Sequence, residues 1–215
     1  MKNIILSICF GMIMAGSFGQ TLNLRFGPSF SDLNWNKSGA DKYIFDEGII
    51  GFNFLLGLDY LDYKYFNLTS NLGVVQKGGT GSLNPLQFPE GLSETTATTV
   101  LNYVTFNTMF EAKLPVKDLV VPFIHIGPRL DYLVSYSQTF NLFSQFTETD
   151  QLNKTMYGLI AGAGIDFKIK RFKVGIVFDY YKNFNKIVDY TSDTGKSDQI
   201  DDHTCTLNLQ VGYKF

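Results

Sequence analysis

Cysteine is nearly missing from this chain of 215 residues: only Cys9 and Cys205 occur. Cys9 lies in an N-terminal segment with the character of an export signal, so the mature protein has no disulfide framework and no cysteine-rich metal site. An excess of charge of one sign is missing too. Lys and Arg total 18 against 20 Asp and Glu, a net of −2, which leaves no electrostatic footprint for nucleic acid. Histidine is scarce, with His125 and His203 alone, and there is a single tryptophan. Beyond residue 20 there is no apolar run long enough for a membrane-spanning helix, which needs about 20 consecutive residues. Mean hydropathy is near zero at +0.01, so the apolar side chains are dispersed.

The start of the chain is the exception. MKNIILSICFGMIMAGSFGQ carries one positive charge at Lys2, an apolar stretch from Ile4 to Met14 and small residues at Ser17 and Gly19. This pattern predicts a secretory signal peptide over residues 1–19, cleaved after Gly19, and a single domain over residues 20–215.

Aromatic residues are plentiful, with 20 Phe and 12 Tyr, and they fall into a period-two pattern. In CTLNLQVGYKF, Leu207, Leu209, Val211, Tyr213 and Phe215 alternate with Asn208, Gln210, Gly212 and Lys214. Alternation of this kind places one set of side chains on each face of a strand. The same beat recurs in LNLRFGPSF, GFNFLLGLDY, FNLTSNLGVVQK, NYVTFNTMFEAKL, VPFIHIGPRLDYLVS, YGLIAGAGIDF and FKVGIVFDYY, making eight segments. Most approach the ~9–11 residues with which a tilted strand crosses a bilayer.

Connections between the segments alternate in length. Long ones cover Ser31–Glu47, Gly78–Val100, Ser137–Met156 and Asn183–His203; short ones lie near Asp62–Lys64, Pro115–Leu119 and Lys168–Arg171. All long loops therefore sit at one end of an up-and-down meander, which in outer-membrane barrels is the external end. Residues 78–100 have the composition of the most disordered loop, and the acidic stretch Asp201–Asp202–His203 reads as the top of the last one. A soluble barrel of the lipocalin kind, with its apolar face inward, also alternates. Glycine crowding on the polar face, aromatic residues gathered at segment ends and the unequal loops favour lipid outside instead. No apolar face carries a charge. The fold expected is all-β: an eight-stranded antiparallel up-and-down transmembrane β-barrel, closed because lipid offers nothing to an open strand edge.

Several segments resemble one family. GPSFSDLNW resembles the G-x-N-x-S-x-L opening of the Bacteroidota outer-membrane barrels often labelled PorT-like, which carry an outer membrane protein beta-barrel domain. LNYVTFNTMFEAKLPV is similar to that family's fourth strand, PFIHIGPRLDYLVS to its following strand, and YGLIAGAGIDF and LNLQVGYKF to its later ones. The chain departs from the family at Thr105, Asn107 and Thr108, where the fourth strand is usually more apolar. The resemblance implies an outer-membrane barrel; the namesake branch takes part in type IX secretion and gliding.

The polar phase of the strands carries the candidate functional residues. Arg25, Asp59, Glu111, His125, Arg129, Asp131, Asp166, Lys173, Asp179 and Lys214 all fall on it, and are expected to form a lumen charge network. Strand direction puts Arg25 beside Asp59, and Glu111 beside His125 and Arg129. Buried charges of this kind must be compensated by partners; a proton or ion path is the functional alternative. Tyr213 and Phe215 resemble the C-terminal signal read by barrel-assembly machinery. His125 has no serine or cysteine placed beside it; His203 follows Asp201 and Asp202, a pattern that suits an exposed Asp/His hydrolase, a cation site or plain solvated surface; and Gly162–Gly164 lacks the Lys-Ser/Thr and helix of a phosphate loop. The expectation is a non-enzymatic scaffold or interaction protein of the bacterial outer membrane, with its lumen filled and long loops displayed outside. A small channel or an accessory of transport is the alternative, and an outer-membrane hydrolase using His203 a third. No cofactor or metal is expected. Contacts with outer-membrane lipid and with the assembly machinery follow, with room for a protein partner at the extracellular loops or periplasmic turns.

Overall fold

The computed structural model describes residues 20–37, 47–83, 95–116, 119–138, 152–191 and 197–215. The proposed signal peptide and the tips of the long loops lie outside these. The strands are β1 (Thr21–Lys37), β2 (Glu47–Asp59), β3 (Phe66–Leu83), β4 (Thr95–Lys113), β5 (Val120–Gln138), β6 (Thr155–Ile169), β7 (Phe172–Asn183), β8 (Val188–Thr191) and β9 (Ser197–Lys214). Each long strand pairs antiparallel with its neighbours, and β9 closes on β1 from Thr21↔Lys214 to Lys37↔Asp198. The eight long strands thus form a closed up-and-down barrel. The short β8 pairs with the outer end of β9, and its Val188 also bridges Leu152.

Period-two alternation decides which face is which. Burial in β5 runs strictly alternate from Val121 to Val134, with Ile124, Ile126, Leu130 and Tyr132 exposed and His125, Arg129 and Asp131 buried. Phe26, Phe54, Phe106, Phe110, Ile176 and Leu209 stand outward in the same way, while Asn23, Asn53, Asn71, Asn107 and Asn208 are buried. The protein is therefore apolar outside and polar inside, as lipid requires and water forbids. No helix among the described residues is long and apolar enough to cross a membrane; the chain crosses with strands.

Three of the four long connections are shorter than their composition suggests, because the strands run on. β3 and β4 stay paired from Gly78↔Val100 to Leu83↔Thr95, across a stretch whose Gly, Ser and Thr content reads as loop. β4 and β5 reach 19 residues each, well beyond the ~9–11 that cross a bilayer, so the barrel wall projects outward past the membrane. At the other end the turns are tight. In the β6–β7 hairpin only Lys170 and Arg171 separate the paired Ile169 and Phe172, and Lys170 has φ 57°. Two-residue hairpins require a positive φ of this kind to match strand twist.

Candidate functional site

Inside the barrel the polar side chains meet in tiers. The lowest tier lies at the short-turn end. The Asp59 carboxylate accepts hydrogen bonds from Asn23 Nδ2 (2.5 Å) and the Thr69 hydroxyl, and pairs with Lys173 Nζ at 3.0 Å. Lys173 Nζ lies 3.6 Å from Asp166, which accepts from Gln210 Nε2 at 2.9 Å. Gln210 Oε1 accepts from Arg25 Nε; Arg25 Nη2 pairs with Glu111 Oε1 at 2.9 Å, and Glu111 Oε2 accepts from Asn67 Nδ2 at 2.9 Å. Asn67 Nδ2 also donates to Thr69 at 3.1 Å, returning the chain of contacts to Asp59. The circuit closes on itself and draws on seven of the eight barrel strands, all but β5.

β5 enters one tier higher. His125 Nε2 is 2.7 Å from Asp179 Oδ1, whose other oxygen accepts from Asn208 Nδ2 at 2.9 Å. Asn53 Nδ2 of β2 reaches Asn208 Oδ1 over the inner face of β1 at 2.5 Å. Gly162 makes room for this contact: a Cβ there would lie 2.7 Å from His125 Nε2. A Cβ at Gly164 would similarly meet Phe123. The glycine run of β6 is thus a recess for large neighbours.

The third tier centres on Lys77. Its ammonium is 3.0 Å from both Asp131 and Asp202, and lies 5.0 Å and 5.6 Å from the ring centroids of Tyr103 and Tyr181. The Arg129 guanidinium sits over Tyr181 at 4.5 Å, with Nε 3.2 Å from Asp131 and Nη2 donating to Asn183. Asn183 in turn donates to Asp202. Around and beyond this tier lies an apolar cluster of Leu33, Val75, Leu101, Tyr103, Leu133, Met156, Ile187, Val188 and Ile200. Ile187 and Val188 come from the β7–β9 connection, so the external end of the lumen is capped by side chains that the connecting segment turns inward.

Nine of the ten expected charged residues occupy the interior as buried or nearly buried groups. The tenth, Lys214, does not: its side chain is 48% exposed and stands at the rim, 2.9 Å from Asp62. Strand closure explains this, since Lys214 faces Thr21 at the very end of β9. Expected neighbours also differ. Arg25 lies opposite Leu55, not Asp59, and reaches Glu111 on β4 instead. Glu111 does face His125 in register, but His125 turns to Asp179 over Gly162 of the intervening β6. Arg129 lies opposite Asn107.

Two central residues were outside the expected network. Lys77 sits on the polar phase of β3, yet the glycines after it suggested a loop. Asp202 belonged by composition to an exposed acidic loop, but β9 begins at Ser197 and turns Asp202 inward, 5% exposed. His203, one residue on, faces outward opposite Asp32. It lines an open groove of about 400 Å³ with Phe30, Tyr180 and Cys205. Among the described residues no group of three or more His, Cys, Asp or Glu could hold a metal ion.

At the short-turn rim Asp62, outside the strands, is bridged by Lys113 and Lys214. Burial alone would raise its pKa; hydrogen bonds and charges from the two lysines outweigh burial and hold it below the ordinary carboxylate value. Tyr213 packs edge-on against Phe172 (5.2 Å) and Phe215 (5.3 Å) on the outer face of this rim.

A closed eight-stranded barrel with an apolar exterior and a polar interior is an integral outer-membrane β-barrel, resident in the bacterial outer membrane. The family model described as "Outer membrane protein beta-barrel domain" matches residues 16–189, and the chain belongs to that family. Among curated proteins none matches the chain. Of solved structures, the outer membrane protein OprG from Pseudomonas aeruginosa is similar at 13% identity and a TM-score of 0.56, over 93% of this chain and 98% of that one. Neisserial surface protein A aligns at 12% identity and a TM-score of 0.49, covering 90% of this chain and 97% of that one. Ail, the attachment invasion locus protein of Yersinia pestis, aligns at 15% identity and 0.44, covering 92% and 99%. At these identities the likeness is one of fold.

Proposed function

We propose that this is a non-enzymatic scaffold or interaction protein whose barrel is closed to diffusion and which acts through its external loops or its periplasmic turns. The observation that carries this reading is contact across the lumen. Arg25 of β1 reaches Glu111 of β4 and Lys77 of β3 reaches Asp202 of β9, each pair joining strands with two others between them. An eight-stranded barrel is narrow enough for side chains to fill, and these pairs span it at two heights. Ion pairs that bridge a lumen hold the walls together; a conduction path requires the opposite arrangement, sites weak enough to leave.

Purified protein in a planar bilayer is expected to show no sustained conductance. Open-channel currents that vanish when Arg129 is changed would replace this reading with a small channel or transport accessory. Hydrolysis of a lipid or peptide panel, lost in His203→Ala, would replace it with a hydrolase. Within the family, the segments of β1 and β4–β6 support assignment to the PorT-like branch. Residues 1–19 serve as a cleavable signal peptide in this reading. Tyr213 and Phe215 present an aromatic terminal strand to the barrel-assembly machinery, and deletion of Phe215 is expected to lower outer-membrane levels.

A further inference from the structure

The lumen opens at its short-turn end into a cavity of about 200 Å³. Four carboxylates line it, Asp59, Asp62, Glu111 and Asp166, and each is already satisfied. Lys173 serves Asp59 and Asp166, Lys113 and Lys214 serve Asp62, and Arg25 serves Glu111 from deeper inside. Three further cations line the same cavity: Lys168, Lys170 and Arg171. Among the described residues none of their side chains makes a hydrogen bond or an ion pair. Lys168 also stands in the field of Asp62, which favours its charge, and of Lys113, Lys214 and Lys173, which oppose it. Basic groups thus outnumber carboxylates around one small recess, and the three at the β6–β7 turn are those without a hydrogen-bonded partner among the described residues.

From this we infer that the periplasmic mouth of the barrel binds a phosphate-class oxyanion between Lys168, Lys170 and Arg171. The lining carries six basic against four acidic groups, and Arg25 adds a further positive charge from deeper inside, so the mouth holds an excess of positive charge that suits a phosphate anion. Arg171 supplies the planar fork suited to two phosphate oxygens, and the lysines supply point charges. The volume lies below the ~300 Å³ at which pockets for drug-sized ligands begin, so the fit is to a small ion or a single headgroup. Position in the membrane allows two sources with this chemistry: a free phosphate or phosphate ester in the periplasm, and the phosphate of a phospholipid in the inner leaflet. The inference is independent of whether the barrel conducts.

The test uses the full mature chain in nanodiscs of phosphatidylcholine, titrated with inorganic phosphate by calorimetry at low salt. Saturable binding is expected, weakened at least tenfold in the double variant Lys168→Gln/Arg171→Gln. Lys64→Gln is the control, because Lys64 lies over the Tyr65 ring at 5.3 Å on the neighbouring turn and does not line the cavity; its binding should match the parent. Heat-modifiable migration verifies that each variant is folded. A second arm replaces part of the lipid by phosphatidylglycerol. If the headgroup is the occupant, apparent phosphate affinity falls in these discs, and native mass spectrometry finds a retained phosphatidylglycerol that the double variant loses. Absence of both saturable phosphate binding and variant-sensitive lipid retention overturns the inference, as does phosphate binding that the double variant leaves unchanged.

Discussion

Arg25 shows what a single residue does in this interior. Its side chain is fully buried, and its charge is held by Glu111 while Gln210 accepts from the guanidinium. Removing one member of such a pair leaves the other charge buried and uncompensated, typically at a cost of ~3–5 kcal/mol, whereas replacing both by apolar groups is often close to neutral. Arg25→Met is therefore expected to destabilise the folded barrel by about that amount, and Arg25→Met/Glu111→Met to recover most of it. Urea unfolding in detergent micelles measures both. If the single and double variants are equally unstable, the pair is not what holds these strands together.

Asp62 makes the corresponding statement about pH. Because its folded pKa is depressed, its bridges to Lys113 and Lys214 contribute stability above the unfolded value of about 4. That contribution falls away as pH drops through the lower, folded pKa. The difference in urea midpoint between the parent and Asp62→Asn should be constant near neutrality and shrink toward zero in acid. A difference that grows in acid would reverse the assigned sign.

At the scale of elements, β6 and β9 illustrate how much of the site is legible in one strand. The alternation in YGLIAGAGIDF announces its faces without ambiguity, because side-chain period and backbone period coincide in a strand. What Gly162 faces could not be read there. The answer, His125 two tiers from the short turns, depends on register between β5 and β6, where His125 lies opposite Gly162. Gly162→Val is expected to push His125 off Asp179 and to destabilise the barrel by a few kcal/mol, as overpacking does; the His125 imidazole resonance reports the displacement directly. An unchanged resonance would mean that the recess is not used. β9 shows the opposite limit. Asp201, Asp202 and His203 have loop composition, yet pairing with β1 through Lys37↔Asp198 extends the strand past them and makes Asp202 an interior residue. Backbone hydrogen bonds, not side-chain preference, set the end of that element.

For the molecule as a whole, the barrel is an inside-out globule, in which lipid does the work of the core and the interior is a polar lattice. Ile126 sits on the outer face of β5, opposite Phe110 and Ala161 on the adjoining strands. Ile126→Arg should cost ~2–4 kcal/mol if it lies near the bilayer midplane, read as a lowered urea midpoint and a smaller heat-resistant fraction on a detergent gel. A neutral effect would place Ile126 at the interface and shift the membrane band along the wall.

The sequence by itself determined the strands, the faces, the closure and the membrane. Those properties follow from local period and from the rule that lipid tolerates neither charges nor unpaired backbone, and both are visible along a single chain. Nearly all of the lumen residues could be named from it on the same grounds. Tertiary structure alone decided which charge meets which. It joined Arg25 to Glu111, His125 to Asp179 and Lys77 to Asp202, and it brought Lys168, Lys170 and Arg171 to one unfilled mouth. Such pairs join strands that are not neighbours in the wall. Their meeting is fixed by the register and stagger of a closed wall, a property of eight strands together.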